Sequence, residues 1–216
     1  MTVDNSIKWR LMRFNDFLKS SRLVREIATL RVVVPAVLNI PPELNSAAPI
    51  SSMSAHLSKP YIICFIRHVG CPFAEMTVKL MSQIKEDHKD MKLFLVSHCP
   101  LRETESWLKK ICPHEDMMTI IDEEHEMYGQ WGLGCTSLWH FVGWGSLISL
   151  FKLARLGVVN RLPSGSRWQQ AGAFAVGRSG QVVWRHLPQH AGDLPDFEEA
   201  VSVIRGAGTG KLSRVS

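Results

Sequence analysis

The chain of 216 residues has no Cys-x-x-Cys pair and no His/Cys spacing of an established zinc site. Its cysteines, Cys64, Cys71, Cys99, Cys112 and Cys135, are odd in number, which fits free thiols better than a disulfide framework. The basic N-terminal stretch lacks the apolar h-region of a secretory signal, so a reducing compartment is expected. The cytoplasm is the first expectation. A mitochondrial presequence within Met1–Leu44 is the second, weakened by Asp4, Asp16 and Glu26. The pairs His98-Cys99 and Cys112/His114 match no metal pattern, so no metal is expected. No glycine-rich loop follows a strand, and Gly206–Lys211 resembles a phosphate loop only superficially.

Charge is also scarce where it would be informative. Of the net +5, the excess sits at the ends: residues 1–45 hold seven basic and four acidic side chains, and residues 205–216 hold three basic and none acidic. The nearly neutral middle offers no basic, aromatic-studded face for nucleic acid. Met127–Phe151 contains no Asp, Glu, Lys or Arg, but its five glycines and three serines argue against a transmembrane span. Internal repeats and low-complexity segments are absent.

What is present centres on Tyr61–Glu75. Tyr61–Ile66 is an uncharged β-branched and aromatic run, the pattern of a buried strand. After Cys71-Pro72, apolar residues recur at Phe73, Met76, Leu80, Met81 and Ile84, the spacing of one helix face. Pro72 suits the first helical turn. Cys71 is thereby predicted at a strand-to-helix junction, where free N–H groups and the positive end of the helix dipole favour its thiolate. The competing reading is a small buried hydrophobe. Arg67, His68 and, one helical turn beyond Cys71, Glu75 complete a candidate acid–base set.

Elsewhere, apolar positions at Ile7, Leu11, Phe14 and Leu18, then Leu23, Ile27 and Leu30, predict a helical arm that packs on the domain or a partner. Pro35–Ser54 reads as a connector. Strands at Lys92–Ser97 and Met117–Ile121 alternate with helices at 72–86, Leu101–Ile111 and Glu123–Trp131, which implies a parallel-containing sheet. Ala171–Val176 and Gln181–Arg185 predict a hairpin around Gly177–Gly180, and Pro195–Ile204 a closing helix.

Strand–Arg-His-x-Gly-Cys-Pro-Phe–helix resembles the peroxiredoxin-like alkyl hydroperoxide reductase/thiol-specific antioxidant family. It is most similar to a selenoprotein-U-like branch and to fungal members with Cys-Pro-Phe-Ala. Leu95–His98 with Thr104 and Trp107, Tyr128–Leu133, and Gly165–Gln169 leading to Gly172–Val176 carry the same resemblance over roughly residues 55–205. It implies an α/β, thioredoxin-like sheet flanked by helices, with an N-terminal helical arm and an aromatic-rich helical insertion. The expected domains are an arm and connector (1–54), the peroxiredoxin-like domain (55–206, insertion 131–168) and a tail (207–216). By resemblance, Arg167, Trp168 and Gln170 are candidates for the substrate pocket wall. Trp139 and His140, from the insertion, would add an apolar, hydrogen-bonding surface, unless that insertion is simple core packing or a subunit contact.

The departures matter as much. A Cys-x-x-Cys enzyme would have its second thiol at Ala74, so local disulfide exchange is excluded. Aligned on Cys71, Cys64 stands where peroxiredoxins carry proline, His68 where they carry Thr or Ser, and Ala173 where the fold commonly has a cis-proline or threonine. The first functional expectation is a peroxiredoxin-like oxidoreductase with Cys71 as its single redox thiol, no bound cofactor, and an external thiol such as glutathione as reductant. Resolution by Cys99 or Cys135 is the minor variant. The second is a redox-inactive enzyme performing isomerisation, dehydration or cyclisation on a small apolar metabolite, as in a fungal biosynthetic pathway. The third is a binding or assembly protein. A small-molecule partner is expected, and a homodimer is left open.

Overall fold

The computed structural model describes residues 29–30, 32–33, 35–49, 59–113, 118–135, 164–190 and 192–208. Among the described residues nine elements follow one another: β1 (Tyr61–Phe65), α1 (Pro72–Asp87), β2 (Lys92–Ser97), α2 (Leu101–Ile111), β3 (Met118–Ile121), α3 (Glu126–Gln130), β4 (Gly172–Val176), β5 (Val182–His186) and α4 (Phe197–Gly208). The sheet order is β3-β2-β1-β4-β5. β1, β2 and β3 pair in parallel, β4 pairs antiparallel with β1, and β5 pairs antiparallel with β4.

β1 is the centre of the sheet, and every one of its residues is buried. Strand side chains alternate between faces, and the core divides accordingly. Ile62 and Cys64 face a cluster with Val78, Met81 and Ile84 of α1, Trp107 of α2, and Ala200, Val201 and Ile204 of α4. Tyr61, Ile63 and Phe65 face Met127 and Tyr128 of α3, Trp131, Leu133 and Phe174. The expected thioredoxin-like α/β architecture is present.

Several boundaries differ from the sequence reading, each for a local reason. α3 begins at Glu126 rather than Glu123, because the Asp122 carboxylate accepts the Glu126 and Tyr128 N–H groups at 3.0 Å each. Asp122 thus satisfies donors that a helix start leaves without carbonyl partners. α4 starts at Phe197 rather than Pro195, with Asp196 Oδ1 accepting the Glu199 N–H at 3.0 Å, and it reaches Gly208, past the expected tail boundary at 207. Ala173 does not precede β4. It is the strand's second residue and pairs with Cys64.

Trp131, the first residue of the expected insertion, follows the core-packing alternative: it is wholly buried, with its ring 4.7 Å from Phe174 and 5.7 Å from Phe65. Burying one large side chain of this kind is worth about 1.5–3 kcal/mol. The rest of the insertion from 136 to 163 lies outside the described residues, as does the predicted arm over 1–28.

The described residues between 29 and 48 form an irregular strap. Asn39 N–H donates to the Gly129 carbonyl at 2.9 Å, and Asn45 and Ala48 N–H groups donate to the carbonyls of Val182 and Gly180. Gly129 permits this approach, since a Cβ there would collide with the Val37 carbonyl and with Pro35. Among the described residues, no helix is long and apolar enough to cross a membrane.

Candidate active site at the Cys71 junction

Cys71 occupies the junction predicted for it, as the N-cap of α1 with Pro72 next. A turn delivers it: the Cys71 N–H bonds the His68 carbonyl at 3.3 Å, and Gly70 takes φ 86°, a conformation that favours glycine. Glu75 N–H bonds the Cys71 carbonyl at 2.9 Å. Pro72 has no N–H, so Phe73 and Ala74 bring the helix's first N–H groups without intrahelical acceptors. Such groups favour an anionic sulfur.

Cys71, Arg67, Phe73, Ala74 and Thr77 line a pocket whose far wall includes His186, Asp193 and Pro195. Its free volume is about 30 Å³, roughly two water molecules where each needs on the order of 10–15 Å³ of such space. Arg67 is buried, and burial lowers its pKa from the usual value while negative charge on Cys71 raises it again. The guanidinium and the sulfur therefore interact electrostatically inside the pocket.

The other residues predicted for the site fall in different places. His68 is buried beside the junction but does not line the pocket. Its Nδ1–H donates to the Val69 carbonyl at 2.8 Å. Burial pushes its pKa down to about 4, and Arg67 and Arg167 push the same way, so the ring is neutral near pH 7. Glu75 is buried on α1, with Oε1 accepting from Lys79 Nζ at 2.9 Å, and is likewise absent from the pocket wall.

Arg167, Trp168 and Gln170 lie on a loop that the strap covers. Arg167 Nε donates to Thr29 Oγ1 at 2.8 Å, and Trp168 Nε1 donates to the Leu30 carbonyl at 2.8 Å. The Gln170 N–H donates to the Gly134 carbonyl at 2.9 Å. None of the three lines the Cys71 pocket. Trp139 and His140 lie outside the described residues.

Three other thiols, Cys64, Cys99 and Cys135, are held in ways that oppose their ionisation. Burial pushes Cys64 up to about 12. Cys99 is pushed up to about 11 by burial, despite accepting the Val69 N–H at 3.4 Å; its S–H donates to the Ser164 carbonyl at 2.9 Å. Cys135 is exposed, donates to the Val33 carbonyl at 3.2 Å, and is raised by partial burial. The free Cys71 and Cys99 are separate thiols in this structure.

Sequence reasoning missed a buried polar core behind the junction. His98 Nε2 accepts the Ser166 N–H at 2.9 Å, and its ring centroid lies 4.7 Å from that of His125. His125 Nδ1 in turn meets Gln169 Oε1 at 2.7 Å. Gln169 Nε2 donates to the Leu133 and Gly134 carbonyls. Gly165 makes this closure feasible at φ 82°, since a Cβ there would strike His98 and the Cys99 sulfur. Burial, first, and then the neighbouring His125 and His68 hold His98 well below the usual histidine range. Among the described residues, no group of three or more His, Cys, Asp or Glu is arranged to hold a metal ion.

With this geometry in place, comparison with known proteins becomes informative. A family model described as AhpC/TSA antioxidant enzyme matches residues 78–190. The chain belongs to that family. The matched AhpC/TSA stretch begins within α1, beyond Cys71, so it identifies the family independently of the cysteine motif. Among solved structures, a thiol peroxidase from Chromobacterium violaceum is similar at TM-score 0.54 and 10% identity, over 81% of this chain and 92% of that one. A cysteine-to-serine mutant of peroxiredoxin 6 from Arenicola marina is similar at TM-score 0.52 and 14% identity, over 82% of this chain and 74% of that one. At such identities the likeness concerns the fold alone. No curated protein sequence matches the chain.

Proposed function

We propose that this AhpC/TSA protein is a peroxide-reducing thiol oxidoreductase that uses Cys71 as its single redox cysteine. The observation that carries the proposal is the small pocket in which the α1 N-cap sulfur and the buried Arg67 meet. Helix-end N–H groups and Arg67 lie around the attacking sulfur. The thiolate attacks one peroxide oxygen, the O–O bond breaks, and Cys71 becomes a sulfenic acid. Arg67 also faces the negative charge that develops on the leaving oxygen.

The pocket size supports this reading over chemistry on an apolar metabolite. About 30 Å³ suits a peroxide group, whereas organic-ligand pockets run to roughly 300–1,000 Å³. Regeneration then falls to an external thiol, for which glutathione is the expected class. Cys99 and Cys135 serve less well as resolving thiols, one being deeply buried and both having raised pKa values.

The test is hydrogen peroxide treatment with a sulfenic-acid trap, followed by intact mass and peptide mapping. Wild type should gain one trap adduct at Cys71, and Cys71→Ser should gain none. A Cys71 that stays unmodified while remaining accessible to a thiol alkylator would refute the proposal.

A further inference from the structure

The position where this family's pattern expects a hydroxyl is occupied by His68, and His68 does not face the pocket. Its ring is neutral and tied to the Val69 carbonyl. A different histidine does reach the pocket. His186 ends β5 and pairs with Ala173, which pairs with Cys64, so the three form one row across the sheet. Laterally paired residues share a face, and Cys64 and Ala173 both lie in the cluster against α1. His186 is thereby set on the Cys71 side of the sheet and lines the same pocket.

His186 is also oriented. Its Nε2 lies 3.3 Å from the Asp193 carbonyl oxygen and 3.6 Å from Asp193 Oδ1. Its ring stacks on Trp184 at 15° between planes, and Trp184 is fixed by its own Nε1–H donation to Glu199 Oε2 at 2.8 Å. When Nε2 carries the proton toward Asp193, Nδ1 is left as the basic nitrogen. A thiol, an imidazole and the Asp193 carbonyl that orients the imidazole thus converge on a single pocket, the arrangement that activates a nucleophile.

We infer that His186 is the proton-transfer residue of the Cys71 reaction and that Asp193 positions it; this rests on the peroxide-reducing reading above. The Cys71 S–H proton passes to His186 Nδ1 by way of the guest in the pocket. The sulfur attacks the terminal oxygen of ROOH, an S–O bond forms, and the O–O bond breaks with its electron pair leaving on RO⁻. His186 returns the proton to give ROH, so that Cys71–SH and ROOH become Cys71–SOH and ROH. The titratable or charged groups on the pocket wall are Cys64, Cys71, Arg67, His186 and Asp193.

The experiment measures the rate of Cys71 sulfenic-acid formation with hydrogen peroxide across pH 5–9 for wild type, His186→Gln, His186→Gly and Asp193→Asn. General acid–base catalysis contributes about 10²–10⁴-fold. His186→Gln should therefore slow the reaction by on the order of 10²-fold near neutral pH, with a deficit that narrows toward pH 9 as hydroxide takes the thiol proton instead. Added imidazole should restore part of the rate in His186→Gly. Asp193→Asn should slow the reaction less than His186→Gln, because the Asp193 carbonyl still accepts from Nε2 and only the carboxylate neighbour at 3.6 Å is lost. If His186→Gln folds and reacts like wild type at every pH, the inference is overturned while peroxide reduction stands. Should His186→Gln fail to fold, a His186→Gly variant that reacts like wild type, or whose lost rate imidazole does not restore, overturns it equally. If wild-type Cys71 itself does not react with peroxide, the underlying reading fails instead.

Discussion

Acid should unfold this protein through His68, and the size of the effect can be worked out from its surroundings. The folded pKa of about 4 lies below the ordinary value of 6.5. The unfolded chain therefore binds a proton between those limits while the native state does not. Stability from this group is complete above pH 6.5, declines as pH falls through the window, and is fully lost by about pH 4. At about 1.4 kcal/mol for each pH unit that separates the two values, the total is about 3 kcal/mol, a large fraction of an ordinary domain's stability.

The perturbation is His68→Asn, whose amide can still donate to the Val69 carbonyl but does not titrate. The assay is urea unfolding followed by tryptophan fluorescence at several pH values between 7 and 4, at fixed ionic strength. Wild type should lose about 3 kcal/mol more than the variant over that range. His98, held low chiefly by burial, is present in both proteins and cancels in the comparison except for the part of its shift that His68 itself causes. Parallel stability–pH curves for the two proteins would refute the reasoning, whatever their offset.

Two other outcomes are expected. Cys64 and Cys99, pushed up to about 12 and about 11, should resist iodoacetamide at pH 8 in the native protein and label promptly in urea; peptide mapping checks this, and native labelling of either would contradict their burial. Gly165→Ala should destabilise by about 1–3 kcal/mol, because the methyl meets His98 and the Cys99 sulfur at a positive φ. A melting curve checks it, and an unchanged midpoint would show that the loop yields freely.

The parts of this protein that are readable in sequence are those governed by local pattern. The uncharged run at Tyr61 and the helical spacing after Pro72 place Cys71 at its junction without any tertiary information. His186 and Asp193 are not readable, because their relation to Cys71 passes through two strand pairings and a change of chain direction. Arg167 and Trp168 show the reverse failure. Family resemblance suggests the pocket for them, yet the strap residues Thr29 and Leu30 take their hydrogen bonds. Trp131 is left open for a simpler reason: a charge-free stretch looks the same whether it fills a core or lies over one.

The strap also bears on how the chain is made. Arg185 Nη1 donates to the Pro42 carbonyl across 143 residues of sequence. On a ribosome adding about 5–20 residues per second, residues near Pro42 emerge roughly 7–30 s before the strand they bind. Throughout that interval Asn45, Ala48 and Pro42 lack the β5 strand and its turn to which their backbone groups are hydrogen-bonded. The segment synthesised early thus cannot take its place until β5 has been made.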